Sequence, residues 1–293
     1  PTGHPTRRLT PPAHPLKVVR YARWGGYSPR QWAVALVRTE WDSDATCLKA
    51  GDRGTVWRAR LALQKRELDC IVKVEPCAGF GEWVRVKLGL SRFHRQWSGA
   101  QALRDAGIPT GRPKALLLAG RGDDRRLVLV LDAVAGKTAL EHLADGMDLA
   151  TERRLAAAVG QNLAAMRTAG VRNRDHKPSN LVARAADLES DSGPLEVAVI
   201  DTMGIERGLS TKGDAPLWWH LACLMIEPAG VGCAPRRASR MRALRAVFDA
   251  LHPNTRRKRR KWRAWRDAAW ARVDGLVCAH GDATPVDDPL ESA

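Results

Sequence analysis

No stretch of the sequence approaches the ~20 uninterrupted apolar residues that a bilayer span needs, and Pro1-Thr2-Gly3-His4 lacks the charged-then-apolar layout of a secretory signal. Both absences lead to the expectation of a cytoplasmic chain. Cysteine is sparse: Cys47, Cys70, Cys77, Cys223, Cys233 and Cys278 form no C-x-x-C pair and no dense framework. That argues against a zinc knuckle or a secreted disulfide scaffold and for reduced thiols. Acidic residues are scarce as well, 32 against 48 Lys+Arg, for a net charge of +16. Between Arg236 and Arg272 stand 14 basic residues and only two acidic ones, Asp249 and Asp267. Such a balance implies a polyanionic partner: nucleic acid, anionic lipid headgroups or a phosphorylated substrate. What is present, 293 residues of which 44% are apolar, suffices for one large or two modest domains and excludes a disordered or fibrous chain.

Residues 1–15 hold five prolines and little apolar periodicity, so an irregular N-terminal arm is expected. Thr55-Val56-Trp57-Arg58-Ala59 follows a glycine turn and Cys70-Ile71-Val72-Lys73-Val74 is rich in β-branched residues, which predicts two paired strands. From Ser91 to Ala106, Phe93, Trp97, Ala100 and Leu103 recur at helical spacing ahead of Gly107 and Pro109. Apolar runs at 115–119 and 127–134 flank the polar turn Gly120-Arg121-Gly122-Asp123-Asp124, as a hairpin would. Beyond Gly136 the pattern turns helical: Leu155, Val159, Leu163 and Met166 form one stripe that ends at Gly170. The expected division is therefore 16–135 and 136–293. Short strands at Leu181-Val182-Ala183 and Val197-Ala198-Val199-Ile200 precede further helix from Leu217.

The stretch that carries chemistry is Asn173-Arg174-Asp175-His176-Lys177-Pro178-Ser179-Asn180, with Asp201 twenty-one residues after Asn180. An aspartate at the mouth of a loop, Asp175, can take a hydroxyl proton, and a lysine two residues on, Lys177, can neutralise a transferring phosphoryl group. Asn180 and Asp201 supply hard oxygen ligands for Mg²⁺, which needs few protein ligands when nucleotide phosphates complete its shell. His176 reads as loop filler, because Asp175 occupies the position of the base.

The spacing resembles the protein-kinase-like fold, whose catalytic loop is H-R-D-x-K-x-x-N and whose metal motif is D-F-G. Upstream, Lys73 matches the strand lysine that pairs with the α and β phosphates of ATP. Lys49-Ala50-Gly51-Asp52-Arg53-Gly54-Thr55-Val56 matches a reduced glycine-rich loop, with Gly51, Gly54 and Val56 as ATP contacts. Asn173 stands where the fold usually has His, and Thr202-Met203-Gly204 replaces Phe-Gly. Gln96 is the best-placed partner for Lys73 where a Glu is usual, with Glu75 and Glu82 as alternatives. The resemblance implies an α+β, two-lobed chain with a strand-rich N-lobe and a mainly helical C-lobe, and ATP and Mg²⁺ as cofactors.

No Ala-Pro-Glu motif follows Asp201. Arg95-Gln96-Trp97 leading into Gly107-Ile108-Pro109-Thr110-Gly111-Arg112-Pro113 resembles the lipopolysaccharide (Kdo/heptose) kinases, whose corresponding text is R-E-W and G-I-P-T-P-x-P. His220-Leu221-Ala222-Cys223-Leu224 stands where that family tends to carry D-L-A-x-L. The implied function is phosphoryl transfer from ATP to a sugar hydroxyl of lipopolysaccharide core or lipid A, with an anionic glycolipid or sugar as substrate. A non-catalytic pseudokinase scaffold, or a kinase acting on protein or another small molecule, stays open beside it.

A basic helix is expected over 254–276, capped by Asn254, with Trp262, Trp265, Ala269, Val273 and Leu276 on one side and arginines on the rest. Three uses are open for it. Packing on the C-lobe comes first, an anionic surface at the inner face of the cell membrane second, and nucleic acid last.

Overall fold

Alternating burial sets up the first half of the molecule. In the computed structural model the described residues are 17–21, 27–37, 45–63, 66–77, 79–120, 125–183, 195–208, 214–253 and 258–280. The expected N-terminal arm, turn residues 121–124 and the Asn254 cap lie outside them. Contacts divide the chain into two units, Pro1–Trp97 with Gly111–Ala133, and Ser98–Thr110 with Val134–Ala293. The second unit thus takes Ser98–Thr110 in addition to the helical part that begins near residue 136.

The first unit is a six-stranded antiparallel sheet, β1 (Lys17–Tyr21), β2 (Thr46–Gly51), β3 (Gly54–Leu63), β4 (Arg66–Pro76), β5 (Pro113–Ala119) and β6 (Arg126–Asp132). Its spatial order is β1-β5-β6-β4-β3-β2. Successive side chains point to opposite faces, so Cys70, Val72 and Val74 of β4 enter one cluster with Leu61, Val128 and Val130. Trp32 and Leu36 of α1 (Pro29–Val37) cover that face. The opposite face gathers Leu116, Leu118, Leu127 and Leu129. Val86 of α2 (Gly79–Lys87) and Phe93 and Trp97 of α3 (Arg92–Asp105) pack there, with Ile71 beside them.

In the second unit α4 (Ala139–Ala144) starts in a capping box, the Thr138 hydroxyl accepting from the Glu141 N–H while the Glu141 carboxylate accepts from the Thr138 N–H. The stripe Leu155, Val159, Leu163 and Met166 is buried on α5 (Leu149–Thr168), as its period predicts. Short strands follow: β7 (Lys137–Thr138), β9 (Leu181–Ala183) and β10 (Val197–Val199) form one sheet, and β8 (Arg172–Asn173) pairs with β11 (Ile205–Glu206). Three helices finish the unit, α6 (Ala215–Gly230), α7 (Arg237–Leu251) and α8 (Lys258–His280).

The basic helix is therefore described from Lys258, and it runs four residues past the expected end at 276. Its apolar stripe is used internally. Ala269 and Val273 are buried, and Trp262, Trp265 and Trp270 pack on the cluster of Leu217, Leu221, Leu244 and Val247. The Trp265 ring lies 5.4 Å from Trp218, and the Arg245 guanidinium sits 5.1 Å over Trp262. All six cysteines are free thiols. Among the described residues no helix is long and apolar enough to cross a membrane.

Candidate active site

In the first unit, β2 and β3 are joined by the two-residue turn Asp52-Arg53, with Gly51 paired to Gly54. A Cβ at Gly54 would come within 2.2 Å of the Val74 carbonyl, so the strand crossing beside Lys73 admits only glycine. Val56 and Lys73 are register partners across β3 and β4. Alternation puts Lys73 on the face of the sheet that carries Ile71, away from the cluster of Val72 and Val74. Gln96 is buried on α3, whose Phe93 and Trp97 cover that same face. Of the two acidic alternatives, Glu75 pairs with Arg92 at 3.1 Å and Glu82 with Arg85 at 2.6 Å.

The other four predicted residues lie in the second unit, on two loops laced together. The Arg174 N–H donates to the Gly204 carbonyl at 3.0 Å, and the Ile200 N–H donates to the Asn180 carbonyl at 2.9 Å. Pairing of β8 with β11 and of β9 with β10 flanks these bonds. Asn180 gives its side-chain amide nitrogen to the Asp175 carboxylate and to the Asp175 carbonyl, each at 3.0 Å. The Asn173 side-chain oxygen accepts from the Asp175 N–H at 3.1 Å. So the residue in the usual histidine position still braces the loop, from its amide group. Asp175 keeps 52% of its side chain exposed, with the Lys177 ammonium 3.7 Å away.

Asp201 has φ 48° and ψ 77°, the one non-glycine residue with positive φ among the described residues. Backbone strain of this kind costs on the order of 1–3 kcal/mol and persists only where surrounding contacts enforce it. The enforcement is visible. Gly99 of α3 packs so closely that a Cβ there would lie 2.0 Å from the Thr202 carbonyl. On the other side, the Val199 N–H donates to the Pro109 carbonyl at 2.8 Å and the Thr110 hydroxyl donates to the Val199 carbonyl at 2.6 Å. The Gly-Ile-Pro-Thr text thus has a physical role: it ends α3, buries Ile108 and clamps the strand that leads into Asp201.

Three further residues support the loop: His176 and His220, which stand at motif positions in the sequence, and Glu227, which no spacing signal announces. Glu227 of α6, 7% exposed, accepts from the Ser179 N–H at 2.8 Å and from the Ser179 hydroxyl at 2.6 Å, and lies 3.7 Å from Lys177. His220, also on α6, accepts the Asn173 N–H on Nε2 at 3.0 Å, which requires the neutral ring. Burial, reinforced by the Arg172 charge, lowers its pKa to about 4. His176 is fully buried 5.1 Å from His220, and burial, then the His220 ring, hold it well below the usual histidine range. A neutral, enclosed imidazole is loop filler, not a base.

Among the described residues no three His, Cys, Asp or Glu side chains cluster as a metal cage. With its nitrogen committed to Asp175, Asn180 retains its side-chain oxygen, and Asp201 adds a carboxylate. Two hard oxygen donors of this kind suit Mg²⁺ bound with phosphates and water.

Residues 80–208 match the model of the lipopolysaccharide kinase (Kdo/WaaP) family. Over that stretch, 129 of the chain's 293 residues, the chain resembles the lipopolysaccharide kinases. The Kdo/WaaP match spans Gln96, Asp175, Lys177, Asn180 and Asp201, and begins after Gly51, Gly54, Val56 and Lys73. The fold is α+β and protein-kinase-like. It is similar to the solved structure "WaaP in complex with acyl carrier protein", at 17% identity and a TM-score of 0.53 over 90% of this chain and 99% of that one. No curated protein sequence matches the chain. The Kdo/WaaP family that residues 80–208 resemble is a family of lipopolysaccharide kinases.

Proposed function

We propose that the chain transfers the γ-phosphoryl group of ATP to a sugar hydroxyl of lipopolysaccharide core or lipid A, with Mg²⁺ as cofactor. The observation that carries this reading is Asp175: half exposed, fixed by Asn173 and Asn180, and 3.7 Å from an ammonium. A carboxylate so placed orients an acceptor hydroxyl and takes its proton as the new P–O bond forms. Lys177 offsets charge on the transferring group, and Glu227 keeps that lysine and Ser179 in register. Asn180 and Asp201 would hold Mg²⁺, which when bound neutralises charge on the phosphate oxygens.

In the first unit, Gly51, Gly54 and Val56 are assigned to the nucleotide, and Lys73 to its α and β phosphates. Gln96 is assigned to hydrogen-bond Lys73; as a neutral group it steadies an ammonium less than a glutamate does. Catalysis on this reading is positioning and charge compensation, with no covalent intermediate on the protein.

The test is transfer of label from γ-labelled ATP to purified lipopolysaccharide, core oligosaccharide and a generic protein acceptor, with and without Mg²⁺. Label in the glycolipid or its core sugar, dependent on Mg²⁺ and lost in Asp175→Asn, is expected. Mg²⁺-dependent ATP binding with no consumption of ATP would instead identify a pseudokinase scaffold, the reading that the neutral Gln96 favours.

A further inference from the structure

Helix α2 turns apolar side chains toward solvent. Val86 is the one buried residue of its nine and fixes the helix to the sheet cluster that includes Leu116 and Leu129. Phe80 is 76% exposed, and just past the helix Leu88 and Leu90 are 66% and 60% exposed. These leucines are held rigidly. Leu88, Gly89 and Leu90 donate backbone N–H bonds to the carbonyls of Val84 (2.9 Å), Val86 (3.2 Å) and Arg85 (2.7 Å). This double closure is the Schellman pattern, in which the residue after the glycine normally folds its apolar side chain back onto the helix. Here Leu90 is 60% exposed.

The apolar group is continuous with aromatic and cationic side chains. The Phe80 ring lies 5.7 Å from Trp83, and the Lys87 ammonium sits 5.5 Å over the Trp83 ring. From 79 to 95 the chain carries Arg85, Lys87, Arg92 and Arg95 against a single acid, Glu82. One exposed leucine is unremarkable, but three large exposed apolar side chains within eleven residues, on a fixed scaffold and interleaved with cations, mark an interaction surface.

We propose that this surface docks the chain on an anionic bilayer. Phe80, Leu88 and Leu90 enter the boundary between headgroups and acyl chains, Trp83 lies at headgroup level, and Arg85, Lys87 and Arg95 meet lipid phosphates. Charge favours a bilayer over a protein partner. The exposed apolar residues are interleaved along the chain with Arg85 and Lys87, whereas protein interfaces gather apolar area centrally and deplete lysine there. The basic helix α8 is not the anchor, since its three tryptophans are packed against the core of its own unit. The proposal goes beyond the phosphotransfer reading and stands or falls separately from it.

Flotation of the full chain with vesicles tests it directly. With phosphatidylethanolamine–phosphatidylglycerol vesicles the wild type is expected to float, and with phosphatidylcholine vesicles to stay behind. Joint replacement Phe80→Ser, Leu88→Ser and Leu90→Ser is expected to lower the partition coefficient about tenfold or more, with an unchanged melting temperature. Lys87→Gln with Arg95→Gln, which leaves every apolar group in place, is expected to lower it several-fold and to weaken its dependence on salt. Arg259→Gln, Arg260→Gln and Lys261→Gln on α8 are expected to leave more than half of the binding. The proposal is overturned if the wild type ignores anionic vesicles, if both α2 variants bind like wild type, or if the α8 variant alone abolishes binding. It is equally overturned if the serine variant changes only self-association in vesicle-free solution.

Discussion

Glu227 grips Ser179 twice, through the backbone N–H at 2.8 Å and the hydroxyl at 2.6 Å, while its carboxylate stands 3.7 Å from Lys177. One buried acid on α6 therefore holds the middle of the loop over 173–180. Replacing it with alanine leaves the part-buried Ser179 donors without their acceptor and frees Lys177, at a cost of about 1–3 kcal/mol in stability. Glu227→Gln keeps the shape and one acceptor, and is expected to lower kcat about tenfold while leaving the KM for nucleotide nearly unchanged. Steady-state kinetics with thermal unfolding of both variants checks this, and a wild-type kcat in Glu227→Gln contradicts it.

His220 makes the loop acid-sensitive. Its Nε2 accepts the Asn173 N–H only while neutral, and its pKa falls from 6.5 to about 4 in the fold. The unfolded chain thus binds this proton more readily than the native one. Stability from this group is complete above about pH 6.5 and is lost as pH drops from 6.5 toward 4, on the order of 3 kcal/mol in all. Buried His176 adds to the same slope. His220→Asn, which cannot titrate, is expected to flatten part of the dependence. Denaturant midpoints between pH 7 and 4.5 would show it, and an unchanged slope would exclude His220 as a source.

Gly99 carries a sharper steric prediction. An added methyl must displace the Thr202 carbonyl, 2.0 Å away, and with it the segment behind Asp201. Gly99→Ala is expected to cost about 1–3 kcal/mol and to depress turnover out of proportion to that loss. Gly81→Ala on α2, where a Cβ meets nothing, should be neutral or stabilising by up to about 1 kcal/mol. Melting temperatures and initial rates of the pair distinguish a local constraint from a general dislike of helical alanine.

Much of this was legible in the sequence because the chemistry there is local. Asp175, Lys177 and Asn180 share one loop, so their spacing survives folding, and the period of Leu155, Val159, Leu163 and Met166 marks α5 unambiguously. What the sequence hid depends on distance or on short elements. Glu227 is 48 residues from Ser179, a lone acid in an apolar helix beside Pro228, and nothing in its neighbourhood signals a loop contact. Helix α2, nine residues broken up by Gly79 and Gly81, is too short and irregular for a period to appear. The tryptophan stripe of α8 was readable as a stripe, but amphipathicity alone does not say whether a bilayer or a protein core covers it; here it packs on Leu217, Leu221 and Val247. The Gly-Ile-Pro-Thr text gained its meaning only when Thr110 was seen bonded to Val199.

The central claim is that Asp175 receives the acceptor proton. The most direct measurement is the rate of phosphoryl transfer to lipopolysaccharide core by Asp175→Asn, with its melting temperature taken in parallel. The account predicts a fall of about 10²- to 10⁴-fold in kcat at an essentially unchanged melting temperature. Turnover within a few-fold of wild type would contradict it.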